Sequence, residues 1–287
     1  MLPSMPANPS VAIVGPGRLG CALALQLART GYSIAEIVSH TPASARRVRA
    51  LTQTLKARSS HSRNASLDAD LVWLCVPDRE TASVAQDLAS RDDWKGKTVF
   101  HSSGALDSQI LSPLRKRGAK VASVHPMMTF VRGSIQSMKG VTFALEGDLP
   151  AVRLAQRIAR DFGARTFLIR KQNKPAYHAW GAFTSPLLVA ALVTAEEVAR
   201  SAGLATAEAR RMMLPIVSQT LVNYALLGPA GAFSGPLVRG DAEVVRKHLK
   251  ALRKTPEARA AYLALARAAL RHLPVENRRQ LEKALKA

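Results

Sequence analysis

The sequence predicts an α/β protein, a doubly wound and mostly parallel sheet followed by an all-α domain. Three observations predict it. From residue 11 to about residue 170, short runs rich in Val, Ile and Phe alternate with helical segments, the pattern of βαβ units. A glycine-punctuated turn, Gly15-Pro16-Gly17-Arg18-Leu19-Gly20, follows the first run directly. After Lys171 the strand signals stop, and segments rich in Ala, Leu and Arg continue to the end, broken at Gly203, at 228–235, at Pro256 and at Pro274. The domains expected are therefore residues 1–170 and residues 171–287.

Taken in order, the expected strands are 11–14, 33–38, 71–76, 98–102, 120–124, 141–145 and 166–169. The helices between them are 19–30, 43–57, 80–90, 109–117 and 150–162. The 287 residues are 47% hydrophobic and 21% charged, which excludes disordered and collagen-like chains and suffices for a packed core. Cys21 and Cys75 are too few for a disulfide framework or a cysteine-based zinc site, so no metal is expected and a reducing, cytoplasmic setting fits. Residues 1–10 read as a short lead-in rather than a signal peptide.

Two long stretches, 175–195 and 212–238, hold no Asp, Glu, Lys or Arg. They are expected to be buried helices rather than membrane spans, because His178, Ser185 and Pro186 interrupt the first, and Pro215, Gln219, Asn223, Gly228 and Pro229 the second. The formal charge is +21, with +7 on residues 1–150 and +14 on the remainder. Arg246, Lys247, Lys250, Arg253 and Lys254 are spaced along one helix face without interleaved aromatics, so a solvated basic surface is expected in preference to nucleic-acid binding.

Strand, Gly-x-Gly-x-x-Gly and helix stand in the order a Rossmann dinucleotide site requires. Gly15 permits the tight turn, Gly17 lets a pyrophosphate approach the backbone, and Gly20 lets helix pack on strand; Arg18 and Leu19 complete the turn. The phosphates would then rest on the helix N-terminus. NAD enzymes usually place a carboxylate at the end of the second strand. Here that place reads Ser39-His40-Thr41 with Arg46 and Arg47 following. NADP is therefore the expected cofactor, with NAD and a deazaflavin as alternatives.

Ligands of open α/β sheets collect beyond the carboxyl ends of strands. Val76, Pro77, Ser102, Ser103 and Gly104 are thus candidates for the nicotinamide wall, and His125, before Pro126, for the active-site lining. His101, within a strand, reads as structural. Lys174 and His178 lie four apart at the start of a helix opened by Pro175, where the helix end depresses their pKa values and suits either to give a proton to a carbonyl or imine. Arg239 is a candidate clamp for a substrate carboxylate or a brace for its turn, and Asp241 is placed to cap the next helix.

Gly15-Pro16-Gly17-Arg18-Leu19-Gly20, Val76-Pro77-Asp78, His101-Ser102-Ser103-Gly104-Ala105-Leu106, His125-Pro126, Tyr177-His178, and Gly235-Pro236 through Arg239-Gly240-Asp241 with His248 together resemble the Rossmann-like family with the domain of unknown function 2520. That family is similar to the 6-phosphogluconate dehydrogenase-like superfamily. The resemblance covers nearly the whole chain. It implies an N-terminal NADP-binding domain and a helical domain that supplies substrate contacts and a homodimer interface. Ser185-Pro186 stands where many relatives carry Ser-Asn, and His40 where many place an Arg beside the 2'-phosphate. The expected function is NADP-dependent hydride transfer to or from a C=O or C=N group of a small acid, without membrane or nucleic-acid partners. Lys174, His178 and His125 are the catalytic candidates, and Ser103 and Arg239 the substrate-binding ones. The alternative is a non-catalytic NADP-binding sensor or scaffold.

Overall fold

The computed structural model describes residues 8–91, 93–131 and 137–286, so most of the expected lead-in lies outside the described residues. The chain divides into two compact units, residues 1–182 and 183–287. The first unit is built on an eight-stranded sheet in the order β3-β2-β1-β4-β5-β6-β7-β8. Its strands are β1 Val11–Val14, β2 Ile34–Ser39, β3 Arg58–His61, β4 Leu71–Leu74, β5 Thr98–His101, β6 Lys120–Pro126, β7 Thr142–Gly147 and β8 Arg165–Leu168. Every neighbouring pair is parallel except β6 and β7. The helices are α1 Arg18–Arg29, α2 Pro42–Leu55, α3 Asp78–Arg91, α4 Ser112–Lys116 and α5 Leu149–Asp161, with α6 Lys174–Thr184 running two residues past the unit boundary.

The central strands are apolar without alternation because both faces are covered. All four residues of β1 and of β4 are buried. One face packs Leu23, Leu27, Trp73, Phe100 and Phe143 with α1 and α5, and the other packs Val72, Leu74, Leu88, Leu111 and Leu114. The expected helix at 109–117 forms as a 3-10 turn, Ser108–Leu111, followed by α4. Pro113 lacks an amide hydrogen, so it fits the first turn of a new helix better than the middle of a long one.

β3 has no counterpart among the expected strands. Its sequence, Arg-Ser-Ser-His, lacks apolar alternation because it is an edge strand exposed along most of its length. Its anchor is Glu36 of β2, fully buried, whose carboxylate accepts from Leu67 N at 2.8 Å, bonds the Ser60 hydroxyl and ion-pairs with Arg58 at 3.1 Å. Glu36→Ala removes all of these acceptors at once. Amide exchange across residues 58–67 should then accelerate strongly while β4 and β5 stay protected, at a global cost of about 2 kcal/mol. Equal exchange in wild type and variant would refute this anchoring.

The second unit is helical: α7 Pro186–Ser201, α8 Thr206–Ala232, α9 Ala242–Ala251, α10 Pro256–His272 and α11 Arg278–Ala284. α8 is two helices joined at Gly228, whose φ of 70° and ψ of 178° are not helical. A core of Val245, Leu249, Ala266, Leu270, Leu281 and Leu285 holds α9, α10 and α11 together. Arg210 and Glu196 make a two-pronged ion pair, at 2.7 and 2.9 Å, that fastens α8 to α7.

The charge-free stretches are helical but not buried within the chain, which corrects the expectation. Trp180 and Phe183 are 53% and 70% exposed, Ile216 is 67% and Leu226 77%, and further apolar residues of α7 and α8 are open. These helices are apolar around much of their circumference, so one chain cannot cover every side. The stretch Lys171–Ser201 is long and apolar enough to cross a membrane. It is broken at Ser185, where φ of −134° and ψ of −83° end α6 and Pro186 begins α7.

Candidate functional site

The glycine turn folds as its spacing predicts. Gly15 has φ of +97°, donates its amide to Val38 O at 3.0 Å, and a Cβ there would lie 2.8 Å from Cys75 O. A Cβ on Gly20 would fall well inside contact with Gly15 O. At Gly17, by contrast, a Cβ would meet nothing within 4 Å, and Gly17 caps α1 without a side-chain bond. Two glycines thus make the turn compact, and the third leaves the start of α1 bare on its open side. Arg18 opens α1 in solvent and Leu19 packs against the core.

Beyond the carboxyl ends of β1, β2 and β4 lies a cavity of about 420 Å³ lined by Val14, Gly15, Val38, Ser39, His40, Ser62, Arg63, Val76 and residues of α3. Ser39 is fully buried, and its hydroxyl has no hydrogen-bond partner. His40 bonds Ser62 Oγ at 3.1 Å, and Arg91 donates to Ser62 O at 2.5 Å while pairing with Asp87. Arg46, expected at this site, stands exposed on α2 and does not line the cavity. Arg46 is the fifth residue past the Thr41 cap, more than one turn into α2 and on its exposed side, which takes its side chain away from the strand ends. Pro77 contributes backbone, its carbonyl accepting from Glu80 N and Thr81 Oγ1 at the start of α3.

Farther along the same sheet edge, the loop after β5 meets β6 and α6. Lys174 is fully buried, and its Nζ donates to Ser103 O at 3.1 Å and Ser123 Oγ at 2.6 Å. Burial pulls its pKa below the usual lysine value, partly offset by Glu146, Asp107 and Asp78. Ser103 Oγ donates to Asp78 Oδ2 at 2.8 Å and accepts from the amides of Ala105 and Leu106 at 3.1 and 2.9 Å. The Ser103 amide donates to His101 Nδ1 at 3.2 Å, and the other ring nitrogen of His101 faces Asp107 O at 3.2 Å. His101 is structural, held neutral by burial and the Lys174 charge with a pKa lowered to about 3.

His125 Nδ1 shares a 2.7 Å hydrogen bond with the Tyr177 hydroxyl. Burial, with the charges of Lys174 and His178, lowers His125 to about 4, and burial raises Tyr177 to about 12. A Cβ on Gly104 would lie 2.9 Å from both His125 Nε2 and His178 Cδ2. The absence of a side chain there is what lets the two imidazoles converge.

The structure therefore gathers Ser103, His125, Lys174 and His178 around Gly104, and sorts them. Lys174 is sealed inside and engaged with two acceptors, whereas His178 is exposed. The Ser103 hydroxyl is engaged three times over within the protein. Asp78, Ser123 and Tyr177 join the cluster without having been singled out for it. Asp78 had a positional signal as the residue after Val76-Pro77, while Ser123, inside a strand, had none. Arg239, in the second unit, pairs with Asp241 at 3.0 Å and remains exposed. Asp241 stands at the N-cap of α9 as expected but makes no side-chain cap bond, its carboxylate accepting from Arg239 instead.

Comparison with known proteins agrees with this architecture. A Rossmann-like domain model matches residues 4–126, and the DUF2520 model, a domain of unknown function, matches residues 141–269. No curated protein matches the chain. Among solved structures, a Bacteroides fragilis protein provisionally named an NADP oxidoreductase superposes with a TM-score of 0.74 at 23% identity, over 91% of this chain and 98% of its own. A Thermotoga maritima protein gives 0.71 at 22% identity, over 96% and 98%. A reductive aminase from Aspergillus terreus, in complex with NADPH4, cyclohexanone and allyl amine, gives 0.66 at 18% identity, over 92% and 94%.

Proposed function

Since the chain carries a Rossmann-like domain followed by a DUF2520 domain, we propose that it is an NADP-dependent oxidoreductase acting on a C=O or C=N group of a small acid. The observation that carries the reading is the cavity at the ends of β1, β2 and β4, with its unpartnered Ser39 hydroxyl beside a bare helix start. These features fit a dinucleotide: the backbone from Gly15 to Gly20 would take the pyrophosphate, and Ser39 and His40 the adenosine ribose. NADPH, when bound, supplies the hydride. The solved reductive aminase, with its ketone and amine, supports the C=O or C=N class.

The chain itself must deliver one proton to the oxygen or nitrogen of the reduced bond. His178 is the carrier in this proposal: it is exposed, and it abuts Gly104 at the same sheet edge as the nucleotide cavity. Its N–H bond breaks as the new O–H or N–H bond forms, and the ring is reprotonated from solvent. Lys174 is a positioning residue that fixes the loop after β5 through the Ser103 carbonyl. His125, its Nδ1 bonded to the Tyr177 hydroxyl, faces the same point beside Gly104 as His178 and lines the pocket there. Arg239 of the second unit, exposed beyond its ion pair with Asp241, is the proposed clamp for a carboxylate. The open apolar faces of α7 and α8 support a homodimer formed through the helical half.

Turnover of a panel of keto and imino acids, followed by loss of reduced-nicotinamide absorbance, tests the reading. His178→Ala should lower kcat about 100-fold, the usual worth of a positioned proton donor, without changing NADPH affinity. A protein that is stabilised by NADPH but turns over no carbonyl or imine acid is a sensor or scaffold instead.

A further inference from the structure

We propose that Arg63, on the turn after β3, recognises the 2'-phosphate that distinguishes NADP from NAD, an assignment that rests on the nucleotide reading above. The second strand ends in Ser39-His40 and offers no arginine of its own. β3 pairs with β2 in parallel, Ser39 opposite His61, so residue 63 leaves the sheet at the same edge one strand farther out. There Arg63 lines the cavity together with Ser39 and His40.

The other charges around the cavity are already engaged. Arg91 pairs with Asp87 and donates to Ser62 O, Glu80 sits 3.7 Å from Arg79, and His40 bonds Ser62 Oγ. The Arg63 guanidinium has neither a hydrogen bond nor an ion pair among the described residues. A free cation lining the same cavity as an orphaned buried hydroxyl makes a place for a doubly charged anion.

The turn that carries Arg63 is also fixed. His61 Nδ1 accepts from the Arg63 amide at 3.3 Å, and His61 Nε2 reaches His40 O at 2.9 Å. With Nδ1 accepting, the ring proton sits on Nε2 and donates to that carbonyl. The end of β2 and the start of the turn are therefore tied through one imidazole, which fixes the backbone of Arg63 at the cavity that Ser39 also lines. β3, which lacks any apolar signal, acquires a purpose as the strand that delivers this residue.

Wild type, Arg63→Ala, Arg63→Lys and Arg46→Ala should be titrated with NADPH and NADH by nucleotide fluorescence, and with adenosine 2',5'-bisphosphate and AMP by thermal shift. Arg63→Ala is expected to weaken NADPH and the bisphosphate about tenfold, as for one lost charge-assisted contact, and to leave NADH and AMP unchanged. Arg63→Lys should restore part of the preference. The proposal is overturned if Arg63→Ala keeps the wild-type ratio of NADPH to NADH affinity, or if Arg46→Ala alone removes it. Wild type that binds neither nucleotide refutes the nucleotide reading itself.

Discussion

Gly20→Ala costs the first unit about 3 kcal/mol or prevents it from folding, whereas Gly17→Ala melts as wild type does and loses most of its affinity for NADPH. The two substitutions add the same methyl group three residues apart. At Gly20 it is driven into the Gly15 carbonyl oxygen, with the Ile13 side chain 3.2 Å and Cys75 Cβ 3.3 Å away. The obstacle is backbone, so no rotamer relieves it, and α1 must lift off the sheet. At Gly17 the backbone is already extended, at φ of −73° and ψ of −169°, and the methyl enters open space. It harms only what must come close, and NADPH should bind tenfold or more weakly. Thermal melting paired with nucleotide titration separates the cases. An alanine at Gly20 with unchanged melting, or one at Gly17 with unchanged binding, would sink the account of the turn.

Acid should unfold the first unit over a window set by two buried imidazoles. His101 and His125 have folded pKa values near 3 and 4, below the unfolded value of about 6.5. A neutral ring is therefore favoured by folding. The unfolded chain takes up protons first, so stability is intact above about pH 6.5 and falls as the pH drops toward 4 and then 3. At pH 4 the loss is roughly 3 kcal/mol for each ring, a large share of a typical domain's stability. Denaturant titrations at pH 7, 5.5 and 4.5 should show the midpoint falling steeply, and His101→Gln with His125→Gln should flatten the slope. Lys174→Met, which removes the positive charge that depresses both rings, should shrink the acid loss as well. A wild-type midpoint that does not move across this range contradicts the assignment.

Much of the fold was legible because its signals are local. β1 and β4 are continuous apolar runs that only a doubly covered sheet tolerates, and the three glycines each answer a different steric demand. What escaped is tertiary in origin. β3 is written in polar residues because its partners are Glu36 and solvent. The reversal of β7 leaves no trace in composition, since antiparallel and parallel strands share the same residue types. In the site, Lys174, His178 and His125 could be picked out as residue types at strand and helix ends. Which of them is sealed and which is open could not, because Lys174 is enclosed by Ser103 O and Ser123 Oγ around its ammonium group. The fate of Arg46 shows the same limit: nearness in sequence to a strand end does not fix which side of a helix a residue leaves from.

The turnabout between β6 and β7 sets a length. Six strands, from β3 to β6, present their carboxyl ends to one border of the sheet, and at about 4.8 Å between neighbours that frontage is about 24 Å wide. Past β6 the next two strands offer their amino ends there, and the row of receptive loops stops. A dinucleotide laid crosswise would occupy most of that span, so whatever shares the border with it has to be short.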